Sequence, residues 1–247
     1  MHHLRDLTVL ILGLGDSGLA MARWCARCGA HVRVADTRAH PPQAGTLAAD
    51  VPTATLHQGL DVALLDGVNL VLKSPGLMPN DPAVSALTAR ADALGIPVRG
   101  ELSLFASALA DLKTDLGYAP KVVAITGTNG KSTTTALIGW VLKQAGMTVH
   151  VGGNIGIGVL ALPAPTPGAV YVIEVSSYQL DLTTGFAPDV AILTNISPDH
   201  LDRHGGMEGY VEAKTRIFQA QGAKAVALVG IDDAFGLKVA NGLSARE

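Results

Sequence analysis

Residues 127–133, Gly-Thr-Asn-Gly-Lys-Ser-Thr, have the composition of a loop that binds phosphate. An apolar run rich in β-branched residues precedes them, and a helical pattern begins near Lys131, so we predict a strand, a loop and a helix. Glycines let backbone N–H groups turn toward an anion, and the helix start adds unpaired N–H groups and a positive dipole end. The residues predicted to bind ATP are Gly127, Thr128, Asn129, Gly130, Lys131, Ser132 and Thr133.

The loop is a short form of the common phosphate-loop pattern, which would also require glycine at position 125, where this chain has Ile125. The alternative is a glycine turn that opens an ordinary helix. A Gly-Lys-Ser sequence directly after a clean strand favours the phosphate site, in which Lys131 reaches the outer phosphates and the Ser132 hydroxyl binds magnesium.

Glu174 is a second candidate metal ligand, because it lies in the otherwise apolar stretch from Val170 to Val175. Burying a carboxylate is unfavourable unless a metal or a hydrogen-bonding partner compensates for it. With Ser132 it offers the hard oxygen ligands that magnesium prefers. The alternative is a carboxylate satisfied by backbone donors at the end of a strand.

Two histidines follow the next apolar strand, at His200 and His204, with Asp199 and Asp202 beside them. Their spacing of four could place two imidazoles on one helix face and suggest zinc. The preceding Ser-Pro favours a loop instead, so we select His200 as functional and interpret His204 as solvated or structural. Lys214 lies in a helix predicted at about 207–219, and this pattern by itself predicts an exposed lysine.

A second glycine-rich turn occurs near the start of the chain, in Gly13-Leu-Gly-Asp-Ser-Gly18. It follows a predicted strand, 7–12, and precedes a predicted helix and a strand, 31–35, which is the arrangement of a dinucleotide-binding βαβ unit. Asp36 stands where such proteins keep the acid that hydrogen-bonds a ribose. The pattern predicts a bound nucleotide without specifying which one.

Strand and helix patterns alternate through the rest of the chain, which predicts an α/β fold with parallel sheets. We predict two domains: a Rossmann-like domain at 1–110 and a phosphate-loop α/β domain at 111–247. Their boundary lies in a stretch of mixed polarity, 111–121, with Gly117 and Pro120.

The composition excludes several classes of protein. The formal net charge is −3 and the pI about 6.2, which gives no electrostatic reason to expect nucleic acid or an anionic membrane as a partner. No apolar run reaches the ~18 residues of a membrane span, and we expect a cytoplasmic protein that is monomeric. Cys25 and Cys28 could form a redox pair or half a zinc site, but their helical context favours small buried thiols.

Four stretches together resemble the Mur ligase family, the ATP-dependent enzymes that form amide bonds in peptidoglycan precursors. They are 126–133, Gly153-Asn-Ile-Gly156, Glu174-Val-Ser-Ser-Tyr-Gln-Leu180 and Asn195-Ile-Ser-Pro-Asp-His-Leu-Asp-Arg-His204. The stretch from Glu174, the first glycine-rich turn, Asp36-Thr-Arg38 and Ser74-Pro-Gly76 are most similar to the member that adds D-glutamate to UDP-N-acetylmuramoyl-L-alanine.

This resemblance implies that the first domain holds the UDP end of the substrate. Two magnesium ions and ATP are expected in the second domain, where Lys214 matches a lysine that the family carbamylates. Lys131, His200 and Lys214 would be catalytic, and Ser132, Glu174, His200 and Lys214 would bind metal. The residues expected to contact the UDP-sugar substrate are Gly15, Asp16, Ser17, Asp36, Thr37, Arg38, Ser74 and Asn154.

The implied activity serves peptidoglycan synthesis, and so cell-wall biogenesis, cell shape and cell division. Family members continue past the length of this chain, so we expect a fragment that lacks D-glutamate recognition and is inactive alone. Detectable D-glutamate ligation by the purified 247-residue chain would contradict this expectation.

Three alternatives stay open at this point. One is another amide ligase of the superfamily, including folylpolyglutamate synthase, although the folate enzyme lacks the UDP-holding domain. Another is an NAD-dependent oxidoreductase, which would bind nicotinamide at Gly13–Gly18. The last is a nucleotide-binding module without catalytic activity.

Overall fold

The computed structural model describes residues 4–164 and 166–245, and the chain divides into two compact units, Met1–Asp111 and Leu112–Glu247. Each unit is built on one five-stranded sheet in which every described strand pairs in parallel with its neighbours. The predicted α/β class with two parallel-sheet domains is confirmed.

The first unit alternates strands and helices around a central β1. Its elements are β1 (Thr8–Leu12), α1 (Asp16–Arg27), β2 (His31–Asp36), α2 (Ala44–Asp50), β3 (Thr55–Gln58), β4 (Leu70–Lys73), α3 (Pro82–Ala93), β5 (Val98–Arg99) and α4 (Glu101–Leu116). The strand order is β3-β2-β1-β4-β5. The chain therefore reverses direction across the sheet beside β1, and ligands of open parallel sheets bind at such a point.

The core of this unit forms because β1 is apolar on both faces: residues 9–12 are all 0% exposed. A parallel strand covered by helices on both sides needs this continuous apolar pattern. Cys25 and Cys28 are buried free thiols at the end of α1, as expected, and burial raises the pKa of Cys25 to about 12. The high pKa argues against a redox role, which requires a thiolate.

The second unit has the strand order β10-β9-β6-β8-β7, so its first strand again lies in the middle of the sheet. Its elements are β6 (Lys121–Thr126), α5 (Lys131–Gln144), β7 (Val149–Gly153), β8 (Val170–Glu174), α6 (Ser177–Asp181), β9 (Val190–Leu193), α7 (Leu201–His204), α8 (Met207–Thr215), β10 (Val226–Val229) and α9 (Ala234–Ser244). β6 pairs with β8 on one side and with β9 on the other, which brings the ends of three strands together.

Several elements differ from the sequence-based expectations. Helix α4 extends to Leu116, into the stretch 111–121 in which we predicted the domain boundary, and Gly117, with a φ of 72°, follows it. The helix predicted at 207–219 is shorter, since α8 ends at Thr215 and continues as a 3-10 turn. Five short or isolated elements were not predicted: α2, β3, α6, α7 and α9. No helix within the described ranges is both long and apolar enough to cross a membrane.

Candidate functional site

The phosphate loop leaves β6 at the centre of the second sheet and turns at two glycines of positive φ. Gly127 has a φ of 144°, and a Cβ at this position would lie 1.9 Å from the Thr194 Oγ1 atom. Gly130 has a φ of 80° and is the N-cap of α5. Both positions therefore require glycine, the first for space and conformation and the second for conformation.

The segment after β9 holds this loop from one side. The Asn195 Oδ1 atom accepts a hydrogen bond from the Asn129 N–H at 3.0 Å, and Asn195 Nδ2 donates to the Asn129 carbonyl at 2.9 Å. The Thr194 hydroxyl donates to the same carbonyl at 2.7 Å, and the Thr128 N–H donates to the Asn195 carbonyl at 2.9 Å. The N–H groups of Thr128 and Asn129 are thus engaged within the protein, whereas the first turn of α5 leaves N–H groups without helical acceptors.

Ser132, Glu174 and Asn154 meet beside the loop, although they come from α5, β8 and the turn after β7. The Ser132 hydroxyl donates to Glu174 Oε2 at 2.7 Å, and Asn154 Nδ2 donates to Glu174 Oε1 at 2.9 Å. The donors are side chains, so the alternative of a carboxylate satisfied by backbone donors is wrong. Gly153 lets the end of β7 lie close to the backbone of Glu174, because a Cβ at this position would lie 2.2 Å from the Glu174 carbonyl oxygen.

The environment of Glu174 fits a cation. Its side chain is 2% exposed, and within the described part of the chain no lysine, arginine or histidine forms an ion pair with it. A buried carboxylate with neutral donors only is stabilised by a bound cation. Ser132 and Glu174 supply two hard oxygens, and magnesium commonly completes its shell with water and substrate phosphate.

Two lysines flank the loop from different helices. The Lys131 ammonium donates to the Thr128 carbonyl at 2.8 Å, and the Lys214 Nζ donates to the Gly127 carbonyl at 2.7 Å. Lys214 is 2% exposed, so the exposed lysine predicted from the helical pattern alone is wrong. Burial, with a smaller contribution from the charge of Lys131, lowers the pKa of Lys214 to about 7. A substantial fraction of Lys214 is therefore a neutral amine near neutral pH.

The shifted pKa of Lys214 predicts a pH dependence of stability. Between about pH 7 and the ordinary lysine value of 10.5 the unfolded chain binds more protons at this position, so the free energy of unfolding rises with pH there. The contribution is complete above 10.5 and lost as the pH falls to 7. Lys214→Met should remove roughly 2–4 kcal/mol of this rise, measured by urea unfolding at several pH values.

Lys143→Met is the matched control, because Lys143 is exposed in the last turn of helix α5. It should leave the pH dependence as it is. An unchanged slope in Lys214→Met would show that Lys214 titrates normally in the folded chain.

His200 and His204 differ in exposure and in the residues that they contact. His200 lies outside α7 at a left-handed φ of 50°, is about half exposed, and packs edge-on against Tyr178 with ring centroids 4.9 Å apart. The His204 side chain is 2% exposed, with Nε2 3.0 Å from the Ser177 hydroxyl oxygen and Nδ1 3.3 Å from Asp181 Oδ2. His204 is therefore structural, and the solvated alternative is wrong.

Burial lowers the pKa of His204, which favours its neutral form. Within residues 4–164 and 166–245, no group of three or more His, Cys, Asp or Glu side chains could hold a metal ion. The zinc alternative has no ligand set in this part of the chain.

The first glycine-rich turn lies between β1 and α1, at the carboxyl end of the strand. Gly15 is the N-cap of α1, and a Cβ on Gly18 would lie 1.9 Å from the Gly13 carbonyl oxygen. The Ser74 hydroxyl, at the end of the neighbouring β4, donates to the same carbonyl at 3.0 Å. The predicted residues Gly15, Asp16, Ser17 and Ser74 thus surround one helix N-terminus, a favourable place for a diphosphate.

Asp36 binds the same turn from the end of β2. Its carboxylate accepts from the Leu14 N–H at 2.6 Å and from the Arg38 side chain at 2.8 and 2.7 Å. The hydrogen bonds from Arg38 are the main reason why the pKa of Asp36 falls to about 2. Arg38 itself is 51% exposed, so its guanidinium is available to a ligand while Asp36 is 3% exposed.

We expect Asp36→Asn to destabilise the first unit by roughly 1–3 kcal/mol at pH 7, because it weakens the charged hydrogen bonds to Leu14 and Arg38. The contribution of Asp36 is present above 3.8, the ordinary value, and is lost as the pH falls through about 2. Trp24 fluorescence in a Trp140→Phe background reports unfolding of this unit. Asp92→Asn, at an exposed position of α3, is the control and should change little.

The structure brings together Ser132, Glu174 and Asn154, and it places Lys131 and Lys214 on carbonyls of the same loop. Within the described residues, His200 forms no hydrogen bond or ion pair with any of these five side chains.

Two further residues of the site, Asn195 and Tyr210, were not selected as site residues from the sequence. Asn195 directly follows β9, so its position at a strand end was a usable signal. Tyr210 resembles an ordinary helix residue, yet its hydroxyl lies 3.1 Å from Thr128 Oγ1 and its ring 4.6 Å from Lys214 Nζ.

Comparison with protein families gives two matches on this chain. The Mur ligase middle domain matches residues 125–247, and the Mur ligase MurD-like N-terminal domain matches residues 7–100. Together they include both glycine-rich turns.

Similar curated proteins carry the name UDP-N-acetylmuramoylalanine--D-glutamate ligase. The protein of Albidiferax ferrireducens is 53% identical over 230 residues, which are 90% of this chain and 45% of the relative. That of Ralstonia nicotianae is 54% identical over 218 residues, 86% of this chain and 44% of the relative. The chain thus spans just under half the length of these relatives.

Solved structures of low sequence identity share the fold. The UDP-N-acetylmuramate:L-alanyl-gamma-D-glutamyl-meso-diaminopimelate ligase from Neisseria meningitides has a TM-score of 0.59 at 17% identity, covering 96% of this chain and 75% of its own. The UDP-N-acetylmuramate-alanine ligase from Thermotoga maritima has a TM-score of 0.56 at 21% identity, covering 95% and 51%.

Proposed function

The chain belongs to the Mur ligase family, as its motifs predicted, and we propose that it serves the ATP-dependent addition of D-glutamate to UDP-N-acetylmuramoyl-L-alanine. The observation that carries the proposal is the meeting of Ser132, Glu174 and Asn154 beside a phosphate loop. The names of the similar curated proteins support the choice of substrate and amino acid.

The proposed reaction converts a carboxylate, which is a poor electrophile, into an acyl phosphate. An oxygen of the alanyl carboxylate attacks the γ-phosphorus of ATP, the bond to the β,γ-bridging oxygen breaks, and ADP leaves. Lys131 would move from the Thr128 carbonyl to the outer phosphates, where its charge stabilises the charge that develops. The N–H groups at the start of α5 would hold the phosphates in place.

The amine of D-glutamate then attacks the acyl carbon. A tetrahedral intermediate forms, the amine loses a proton, and inorganic phosphate leaves as the amide carbonyl is restored. The free energy of ATP is thereby used to make a leaving group. ATP and UDP-linked sugars are cytoplasmic compounds, and the proposal includes a cytoplasmic, monomeric protein in peptidoglycan synthesis.

Two magnesium ions belong to this proposal, with Ser132, Glu174, His200 and Lys214 as the residues that would hold them. When bound, they would neutralise phosphate oxygens and polarise the phosphoryl group. Asn154 donates to Glu174 and so orients the carboxylate. Lys214 would add CO2 through its neutral amine, releasing a proton and becoming an anionic carbamate, and its burial and lowered pKa support this chemistry.

The first unit would hold the UDP end of the substrate. Its glycine-rich turn and Ser74 would border the diphosphate, while Thr37 and the exposed guanidinium of Arg38 would lie near the uracil. Asp36 supports this site through Arg38 and Leu14, because its carboxylate already accepts their hydrogen bonds. Asn154 and His200 would face the muramoyl-alanine end.

Calorimetric titration of the 247-residue chain tests the proposal. We expect UDP-N-acetylmuramoyl-L-alanine to bind at least about tenfold more tightly than UDP-N-acetylmuramic acid, which corresponds to ~1.4 kcal/mol. NADH should not compete. A preference for NADH would favour an oxidoreductase, the remaining alternative for the first glycine-rich turn, and would contradict the proposal.

A further inference from the structure

The side chain of Asn195 forms two hydrogen bonds with the backbone of Asn129, as a residue of a neighbouring β-strand would. It accepts from the Asn129 N–H and donates to the Asn129 carbonyl, at 3.0 and 2.9 Å. One side chain from the end of β9 therefore fixes both backbone groups of a residue in the middle of the phosphate loop.

The hydrogen bonds between Asn195 and Asn129 affect phosphate binding because of the position of Asn129 in the loop. Asn129 immediately precedes Gly130, whose φ of 80° turns the chain into the first turn of α5. The N–H groups of Lys131 and Ser132 point toward a bound anion only while the backbone at Gly130 keeps this conformation. A backbone carbonyl that faced the phosphates would repel them, whereas the Asn129 carbonyl is bound by Asn195 Nδ2 and by the Thr194 hydroxyl.

We propose that Asn195 is a positioning residue that holds the phosphate loop in its anion-binding conformation before the nucleotide arrives. It acts through Asn129 and does not itself contact the phosphates. A preorganised loop binds its ligand more tightly because ordering the loop no longer opposes binding. This inference rests on the proposed function, because it assumes that the loop binds the phosphates of ATP.

Two measurements on Asn195→Ala test the inference. In the ligand-free chain, the Asn129 amide should exchange with solvent at least about tenfold faster by NMR, since it loses its acceptor. The affinities for ATP and for inorganic tripolyphosphate should both fall by about 10- to 30-fold, the effect expected for two hydrogen bonds. Adenosine, which lacks phosphates, should bind as before.

Asn69→Ala is the matched control, because Asn69 Oδ1 likewise accepts a backbone N–H at the start of a strand, from Thr8 at 2.8 Å, but in the first unit. It should leave tripolyphosphate affinity and Asn129 exchange unchanged. If the Asn195→Ala variant does not fold, the Asn195→Asp variant is measured in its place. It keeps an acceptor for the Asn129 N–H but loses the donor and places a carboxylate opposite the Asn129 carbonyl. Tripolyphosphate affinity should therefore fall, and an unchanged affinity would contradict the inference.

Other outcomes would also overturn it. These are an unchanged affinity for tripolyphosphate in Asn195→Ala, unchanged Asn129 exchange, or an equal loss of affinity for adenosine. If the unaltered chain bound neither ATP nor tripolyphosphate, the proposed function would fail, and the phosphate role of Asn195 with it. Asn129 exchange would still report the loop contact separately.

Discussion

Replacing Lys131 by methionine should weaken ATP binding to the 247-residue chain by about 100-fold, or ~2.7 kcal/mol. The expected loss follows from the charge-assisted hydrogen bonds that an ammonium makes with phosphate oxygens, each worth more than a neutral bond. Methionine keeps most of the length and apolar volume of lysine and removes the charge. Calorimetry with ATP and magnesium measures the change.

Lys143→Met controls for the loss of one positive charge from the same helix. Lys143 is exposed in the last turn of α5, so ATP affinity should change by less than about twofold. Adenosine should bind Lys131→Met and the unaltered chain equally. An ATP affinity within about threefold of the unaltered value would argue against a phosphate role for Lys131.

Gly127→Ala should have the largest effect on folding, lowering the free energy of unfolding of the second unit by about 3 kcal/mol or more. The added Cβ would lie 1.9 Å from Thr194 Oγ1 and 3.1 Å from Thr194 Cβ, at a φ of 144°. The loop or the end of β9 must move, and the Asn129 carbonyl would then lose its donors. We expect ATP binding to be lost together with stability, measured by urea unfolding and calorimetry.

Gly146→Ala separates the two causes, because Gly146 also has a positive φ, 80°, while a Cβ there has no atom within 4 Å. Gly146→Ala should lower the free energy of unfolding by about 1–2 kcal/mol, from backbone conformation alone, and leave ATP affinity unchanged. Adding Thr194→Ala to Gly127→Ala should restore part of the stability, since it removes the closest atom. Equal destabilisation by Gly127→Ala and Gly146→Ala would mean that the contact with Thr194 is unimportant.

The main elements of both sheets could be predicted because their signals are local. Strand β1 lies within the predicted strand 7–12, β2 covers the predicted strand 31–35, and α3 begins after Asp81, whose side chain caps it. The elements that were not predicted are short or weakly patterned. Helix α6 has five residues and α7 has four, too few to display a helical period. A capping box at Ser176 and Gln179 fixes the start of α6.

The residue types of the site were also predictable, since glycines, lysine and serine in this spacing have few other uses. Ser132 and Glu174 were predicted together only as magnesium ligands, and the hydrogen bonds that join the residues of the site were not predicted. Glu174 binds Ser132 across 42 positions of sequence, and Lys214 reaches the Gly127 carbonyl across 87. These contacts depend on β8 and β9 lying on either side of β6, and a hydrophobic pattern does not encode the order of strands.

The sequence by itself therefore determined two parallel-sheet domains, two glycine-rich turns and the chemical groups available at each, because backbone conformation and burial periodicity are properties of neighbouring residues. Tertiary structure alone decided that Lys214 is buried with a lowered pKa, that His204 is a structural residue, and that Asn195 holds the phosphate loop. Burial, pKa and hydrogen-bond partners depend on which distant segments pack together, and only the folded chain fixes that packing.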